Sequence, residues 1–156
     1  MTKLASGVPL PDKINHLRIG GSIANPMAIR QNRGVVIDGM REDTFALTAE
    51  VVEVETKPPT AQGSGKNWAG QMVEREDRGT RTRAIIALGS QDIGDCKQLV
   101  PLNKNIEVIA GSSDHTVLDI SEYKNEYSCG DVIDFRLYYM GLLYCFSTRH
   151  VRVEMV

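Results

Sequence analysis

A glycine pair with an arginine just before it is the first feature of this sequence that could do chemistry. Residues 14–22 read INHLRIGGS, so Arg18 stands two positions before Gly20, which Gly21 and Ser22 follow. The pattern predicts a strand, a tight turn and a helix, and in such a turn backbone N–H groups can bind an anion such as a phosphate. A tight turn with a surface arginine is the alternative that the motif alone leaves open.

Two polar stretches that follow apolar runs are the next candidates. Residues 87–92 read ALGSQD, and residues 111–115 read GSSDH. The ends of strands are common positions for binding side chains, so Ser90, Ser113 and Asp114 are candidate substrate contacts. An ordinary turn, in which serine and aspartate bond to neighbouring backbone groups, is the alternative.

The histidines and cysteines show no pattern typical of a metal site. His16, His115 and His150 are not spaced so that two could share a metal from one helix face, and no metal site is predicted. A triad of Ser113, His115 and Asp92 can be drawn, but no nucleophile elbow accompanies it. The three cysteines form no CxxC pair. Neither a zinc site nor a disulfide framework is therefore predicted, and a reducing cytoplasm is the expected location.

Patterns typical of β-strands cover most of the chain after residue 43. The candidate strands read TFALTAEVVEVE, TRAIIALG, NIEVIAGSS, HTVLDIS and GDVIDFRLYY. Residues 57–71, rich in proline and glycine, are predicted to form a long loop. We therefore expect a mainly β fold of about five to seven strands, arranged as a small β-barrel or sandwich.

The first forty residues differ from the rest and suggest a division of the chain. Residues 1–40 are expected to form a short strand–turn–helix segment, in which Pro26 interrupts the helical pattern. Residues 41–156 are expected to form the β-domain, with the boundary near residues 34–41.

The composition excludes several classes of function. The 156 residues amount to one domain's worth of chain. The net charge is −2 and the basic residues are scattered, so no nucleic-acid partner is expected. No apolar run reaches the roughly 18 residues that a membrane span requires. The N-terminus lacks the apolar core of a secretory signal, so neither a membrane nor a secretory role is predicted.

Five motifs in order resemble a known family. INHLRIG, TFALTAEVVEV followed by KPP, AIIALGSQD, GSSDHTVLDIS and GDVIDFRLYYMGLLYCFST resemble the C-terminal portion of the ornithine-racemase branch of the pyridoxal-phosphate-dependent alanine racemase family, fold type III. In that family an N-terminal (β/α)8 barrel holds the cofactor, and the β-domain of the partner subunit closes the active site. A whole barrel needs about 250 residues. The resemblance therefore implies that residues 1–40 are a remnant of the last barrel strand and helix.

The resemblance implies that five residues bind pyridoxal 5'-phosphate. Arg18 falls at the family arginine that bonds the pyridine nitrogen of the cofactor and, being always protonated, keeps that nitrogen unprotonated. Gly20, Gly21 and Ser22 fall at the turn that holds the phosphate. Tyr139 falls near a family tyrosine that reaches the same phosphate.

The resemblance also implies substrate contacts and departs from the family at the catalytic bases. Ser113 and Asp114 fall at a turn that contacts the carboxylate region of the substrate in the partner's site. Ser90 stands where the alanine racemases have a second catalytic base, a tyrosine. Asp92 and His115 are the candidate catalytic residues that could take the proton instead. The Schiff-base lysine belongs to the first barrel strand, which this sequence does not include.

These expectations lead to one leading hypothesis and two rivals. The leading hypothesis is that the chain is a component of a split amino-acid racemase, whose lysine-bearing barrel subunit is a separate polypeptide; a homo-oligomer is also compatible with it. The first rival is a non-catalytic, dimeric β-barrel that binds a small ligand or a protein partner. The second is a truncated gene product that folds without an activity of its own.

Overall fold

A six-stranded antiparallel sheet forms most of the molecule. The computed structural model describes residues 7–58, 63–66, 70, 72–75, 77–123 and 125–155. The strands are β1 Leu47–Lys57, β2 Gly63–Lys66, β3 Met72–Arg75, β4 Arg81–Ile86, β5 Leu99–Pro101, β6 Glu107–Gly111, β7 Thr116–Asp119 and β8 Val132–Leu137. The helices are α1 Met27–Arg33, α2 Ser90–Ile93 and α3 Tyr139–Ser147, with a 3-10 turn at Cys96–Gln98.

The order of the strands brings the two edges of the sheet towards each other. The order is β5-β8-β1-β4-β7-β6, and β2 pairs separately with β3 as a hairpin. The edge strands β5 and β6 contact each other, so the sheet is nearly closed like a barrel. The prediction of a mainly β, barrel-like fold is therefore confirmed.

Strand β1 shows why the sequence folds in this way. Leu47, Ala49 and Val51 are buried, while Thr48 and Glu50 between them are exposed. Alternate side chains of a strand point to opposite faces, so this period of two places every second residue in the core. The strand pairs with β4 on one side and with β8 on the other.

The N-terminal segment differs from its prediction in one respect. Residues 13–20 form no strand, whereas the predicted turn and helix are present as residues 21–24 and α1. A strand needs a neighbour to bond its backbone N–H and C=O groups. Among the described residues no strand pairs with this segment, and Ile14 and Leu17 are exposed.

Two further segments differ from the expected pattern. The predicted loop over residues 57–71 contains β2, which is paired with β3; residues 59–62, 67–69 and 71 lie outside the described residues. The apolar residues after β8, for which no element was predicted, form helix α3, and residues 151–155, in which apolar and polar types alternate, form no strand. Within the described ranges, no helix is both long and apolar enough to cross a membrane.

Candidate functional site

The predicted phosphate turn and the predicted phosphate tyrosine lie against each other. A Cβ atom built on Gly21 would stand 2.6 Å from Cε2 of the Tyr139 ring. Only a glycine lets the backbone come so near the ring without moving it. Tyr139 is the first residue of α3 and is 43% exposed, so one side of its ring packs on the turn and the rest faces outward.

A buried asparagine fixes this turn to the sheet. The side-chain amide of Asn25 donates to the carbonyl of Leu137, the last residue of β8, at 3.1 Å, and its oxygen accepts from the N–H of Ala28 at 3.3 Å. Asn25 is 5% exposed. Since α3 begins directly after β8, this side chain sets the distance between the glycine turn and Tyr139. Asn25 was not among the residues predicted to form the site, although a polar residue before a proline in an apolar segment was a usable signal.

The backbone of the turn keeps donors available. The N–H groups of Ile23 and Asn25 donate to the carbonyls of Gly20 and Gly21, at 3.2 and 2.7 Å. Among the described residues, no backbone carbonyl accepts from the N–H groups of Gly20, Gly21 or Ser22. Gly21 and Ser22 are half-buried. Free N–H groups in a half-buried turn are suited to binding an anion.

Two features of the predicted cofactor site have no supporting contact within the described residues. Arg18 is exposed, and among the described residues none forms a hydrogen bond or ion pair with its guanidinium. Helix α1 begins at Met27 and not at the turn, so the turn does not gain the positive end of a helix dipole. The contact between Arg18 and a pyridine nitrogen stays a prediction.

The two polar stretches named from the sequence meet at a second place in the fold. The N–H of Ser90 donates to the carbonyl of Ser112, and the N–H of Gln91 donates to that of Ser113, both at 2.9 Å. A Cβ atom built on Gly89 would stand 2.3 Å from the backbone nitrogen of Asp114. The two stretches are therefore held backbone against backbone.

Asp92 has a structural role in this second cluster. It is 4% exposed, and its Oδ2 accepts from the N–H of Gly89 at 3.1 Å, which caps the start of α2. Its Oδ1 is buried and without a hydrogen-bond partner. Burial, and then the nearby charge of Asp92, raise the pKa of the Cys145 thiol to about 11. A buried capping carboxylate is poorly placed to meet a substrate.

Asp114 and His115 lie at the surface of the same cluster. Asp114 Oδ1 accepts from the hydroxyls of Ser113 and Ser112, at 3.1 and 3.2 Å, and lies 3.1 Å from His115 Nδ1. The hydroxyl of Ser113 does most to hold the pKa of Asp114 below its ordinary value, and Ser112 and His115 add to the effect. Asp114 is therefore a carboxylate at neutral pH.

Helix α3 connects the two clusters. Its first residue, Tyr139, packs on Gly21, and Tyr144 packs on Gly94 at the end of α2, where a Cβ atom would stand 2.8 Å from the ring. Five residues of α-helix span about 7.5 Å. The phosphate-type turn and the C-terminal end of α2 thus both pack on tyrosine rings of one short helix.

The comparisons with known proteins point to amino-acid racemases. No protein-family model matches the sequence. The lysine racemase of Thermotoga maritima is 45% identical over 135 residues, which cover 86% of this chain and 37% of that protein. The ornithine racemase of Acetoanaerobium sticklandii is 36% identical over 148 residues, which cover 94% of this chain and 41% of that protein. The chain thus spans about two fifths of the length of these relatives.

Solved structures of alanine racemases share the fold. The enzyme of Clostridium difficile 630, in complex with cycloserine, matches 73% of this chain and 35% of its own chain, with a TM-score of 0.50 and 14% identity. The enzyme of E. faecalis matches 95% of this chain and 40% of its own, with a TM-score of 0.52 and 11% identity. At these identities the likeness shows the fold alone. Together with the sequence relatives it confirms the resemblance found from the motifs.

Proposed function

We propose that this chain, which corresponds to the C-terminal portion of an amino-acid racemase of the alanine/ornithine racemase type, supplies cofactor and substrate contacts to a pyridoxal-phosphate-dependent racemase site. A lysine-bearing polypeptide completes that site. The observation that carries the proposal is the packing of Tyr139 on Gly21 beside the free N–H groups of the turn. The relatives are named lysine and ornithine racemase, so the proposed substrate is a diamino acid.

The residues of the turn fit a phosphate group. Gly20, Gly21 and Ser22 offer backbone N–H donors and one hydroxyl, and the Tyr139 ring stands at the edge of the same turn. Any larger residue at position 21 would meet the Tyr139 ring, so the turn and the ring are fitted to each other. Pyridoxal phosphate supplies an electron sink for removal of the α-proton when it is bound. Arg18 is the proposed contact of its ring nitrogen.

The second cluster is the proposed substrate side of the site. Ser90, Ser113 and Asp114 are its proposed substrate contacts. Between the two proposed bases, the geometry favours His115, because its ring is half-exposed whereas Asp92 is buried and caps α2. With Nδ1 directed at Asp114, the Nε2 atom of His115 is left to hold or release a proton.

The rival interpretation of a dimer paired through strand edges has less support. Two copies could pair through a remnant barrel strand only if residues 1–40 formed a strand, and residues 13–20 form none. The edges of the main sheet are also close together, since β5 and β6 contact each other. Neither residues 13–20 nor the edge strands of the main sheet offer the long open edge that pairing of two copies needs.

Reconstitution with the cofactor tests the proposal. The purified chain is mixed with pyridoxal phosphate, alone and with candidate lysine-bearing polypeptides from its native source, and absorbance and chirality of lysine and ornithine are followed. We expect co-elution with one such polypeptide, a visible absorbance band from the bound cofactor and loss of optical activity. Tyr139→Phe removes only the hydroxyl, which is the group proposed to reach the phosphate, so it should weaken cofactor binding. A chain that elutes alone and colourless from its native source would contradict the proposal.

A further inference from the structure

Helix α3 has no charged face. Its nine residues read YMGLLYCFS and include no charged side chain. A surface helix normally carries charged and polar residues on the side that faces water, and a helix that is apolar on all sides is normally buried. Only one side of α3 is buried in this structure, where Cys145 lies in the core and Gly141 packs on Gln98. The other side is apolar surface that no described residue covers.

The exposed side chains of α3 form one continuous surface. With 3.6 residues per turn, they fall within an arc of about 160° of the helix circumference. Each is between 43% and 56% exposed; they are Tyr139, Met140, Leu143, Tyr144 and Phe146. Together they present on the order of 400 Å² of apolar surface. At this size, the apolar patch of a single protein is often a binding site.

This surface is continuous with the candidate cofactor turn. Tyr139 belongs to both, because one side of its ring packs on Gly21. Ile23, in the same turn, and Leu17, ahead of it, are also exposed apolar residues. A polypeptide whose lysine reaches a cofactor held at residues 20–22 must therefore approach beside the first turn of α3.

The relatives indicate how much protein is available to cover the surface. The matched regions are 37% of the lysine racemase and 41% of the ornithine racemase, so the larger part of each relative lies outside the match. A specific interface buries about 800 Å² on each side, and α3 supplies about half of that area. A second copy of this chain could cover the same surface, but it would block the approach of the lysine that the proposed site requires.

We infer that the exposed side of α3 is the surface on which the lysine-bearing polypeptide of the racemase docks, with Met140 and Leu143 at its centre. The inference rests on the proposed function and names the interface through which the two polypeptides assemble. Because α3 carries no charge, the matching surface of the polypeptide is apolar, and burial of apolar area drives the association. One polypeptide thereby covers α3 and completes the cofactor turn.

A charge placed at the centre of the surface tests the inference. Leu143→Lys is compared with Leu102→Lys, because Leu102 is similarly exposed, 47% against 43%, but follows the end of β5 that is farther from α3. Isothermal titration calorimetry measures the dissociation constant for the lysine-bearing polypeptide in the presence of pyridoxal phosphate. Leu143→Lys should weaken binding at least about ten-fold, because its charge would be buried against apolar surface. Leu102→Lys should stay within about two-fold, and both variants alone should unfold thermally as the wild type does.

Hydroxyl-radical labelling of the wild-type chain gives a second readout that needs no substitution. Met140 and Met72 are both exposed, and Met72 lies in the β2–β3 hairpin. Both should be oxidised in the chain alone, because oxidation of methionine follows its exposure. In the assembly, oxidation of Met140 should fall at least about five-fold, and that of Met72 should stay the same.

The outcomes separate the docking surface from the function on which it rests. If an assembly racemises lysine or ornithine while Leu143→Lys binds as the wild type does, or no more weakly than Leu102→Lys, the docking surface is overturned and the racemase function stands. Unchanged labelling of Met140 in that assembly has the same meaning. Protection of Met140 in a dimer of the chain alone assigns the surface to a second copy and overturns the inference. If no lysine-bearing polypeptide binds and no amino acid is racemised, the proposed function and the inference fail together.

Discussion

At the scale of single residues, glycines decide where the two clusters form. Gly21 admits the Tyr139 ring, and Gly89 admits the backbone of Asp114. Neither glycine has the positive φ that would by itself require glycine. Glycine is required at both positions because a side chain would not fit between the backbone and its neighbour. Adding a single methyl group at either position should therefore change the free energy of unfolding measurably.

A methyl group at position 21 should disturb the phosphate-type turn. Gly21→Ala places Cβ against the Tyr139 ring, so the ring or the turn must move, and we expect the free energy of unfolding to fall by about 1–3 kcal/mol. Gly20→Ala is the matched control, because its Cβ would meet nothing within 4 Å, and should change stability by less than about 0.5 kcal/mol. Urea unfolding measures both. Equal effects of the two substitutions would show that the contact with Tyr139 is not tight.

The buried carboxylate of Asp92 should act as a cap and not as a base. Asp92→Ala removes the acceptor of the Gly89 N–H, so we expect a loss of stability of about 1–2 kcal/mol. Asp92→Asn keeps an acceptor oxygen of the same size and should cost clearly less. Thermal unfolding of the two variants measures the difference. If Asp92→Asn left stability intact but abolished racemisation in the reconstituted assembly, the carboxylate would be catalytic after all.

At the scale of secondary-structure elements, the N-terminal segment is held by specific hydrogen bonds and not by strand pairing. Asn25 bonds β8 through Leu137 and bonds its own segment through Ala28. Met27 and Ile29 of the following helix are buried. The division of the chain at residues 34–41 remains a proposal, but the segment before it packs on the junction of β8 and α3 at the place where the candidate cofactor turn is formed.

Loss of the Asn25 side chain should loosen the glycine turn without unfolding the sheet. Asn25→Ala leaves the buried carbonyl of Leu137 without this donor, which costs about 1 kcal/mol. We expect faster hydrogen exchange at residues 23–30 and unchanged exchange in β1 and β4. Asn105→Ala, at an exposed asparagine, is the control and should change neither region. A uniform rise in exchange across the whole chain would contradict a local role.

At the scale of the whole molecule, a partly buried ion pair stabilises the sheet between β4 and β7. Arg81 Nε donates to Asp119 Oδ2 at 2.8 Å, and Asp119 is 2% exposed. Burial raises the pKa of Asp119, but the bonds from Arg81 and Ser121 more than offset it, so the pKa lies below its ordinary value. A carboxyl group whose pKa is lowered by folding stabilises the protein above its unfolded-state pKa, and this stability is lost as the pH falls through the folded-state value.

The acid limb of the stability profile should therefore depend on Asp119. Between roughly pH 5 and pH 2 the free energy of unfolding of the wild type should fall, and Asp119→Asn should reduce that fall while lowering stability at pH 7. Asp38→Asn should leave the shape of the profile unchanged. Urea unfolding at a series of pH values measures it. Identical slopes for the wild type and Asp119→Asn would refute a contribution of this group.

The fold class followed from the sequence because each main strand carries its own local signal. The alternation in β1 specifies which face is buried regardless of its neighbours, and the apolar run of β4 marks a central strand. The segment at residues 13–20 was mispredicted because its apolar residues match a strand, while strand formation depends on a neighbour that sequence does not reveal. Helix α3 was missed because a short apolar run fits a strand or a buried helix equally well.

The candidate site was only partly visible in the sequence. The motifs indicated Gly20, Gly21 and Ser22 and the two polar turns, because glycine and serine at strand ends are local features. The packing of Tyr139 on Gly21 joins residues more than a hundred positions apart, and the resemblance alone suggested that they share a ligand. The bond from Asn25 to Leu137 depends on tertiary packing, which no spacing in the sequence encodes. The capping role of Asp92 is local, since Asp92 follows Gly89 by three residues as in a capping box, and this spacing was a usable signal.

The meeting of β5 and β6 has a consequence for the behaviour of this chain in solution. Open sheets carry rows of unsatisfied amide and carbonyl groups along their outermost strands, and these rows act as templates for intermolecular β-pairing and fibril growth. Here the outermost strands are short, three and five residues, and contact each other. The main sheet therefore offers little surface for such templating, so self-association through it should be slow even at high protein concentration.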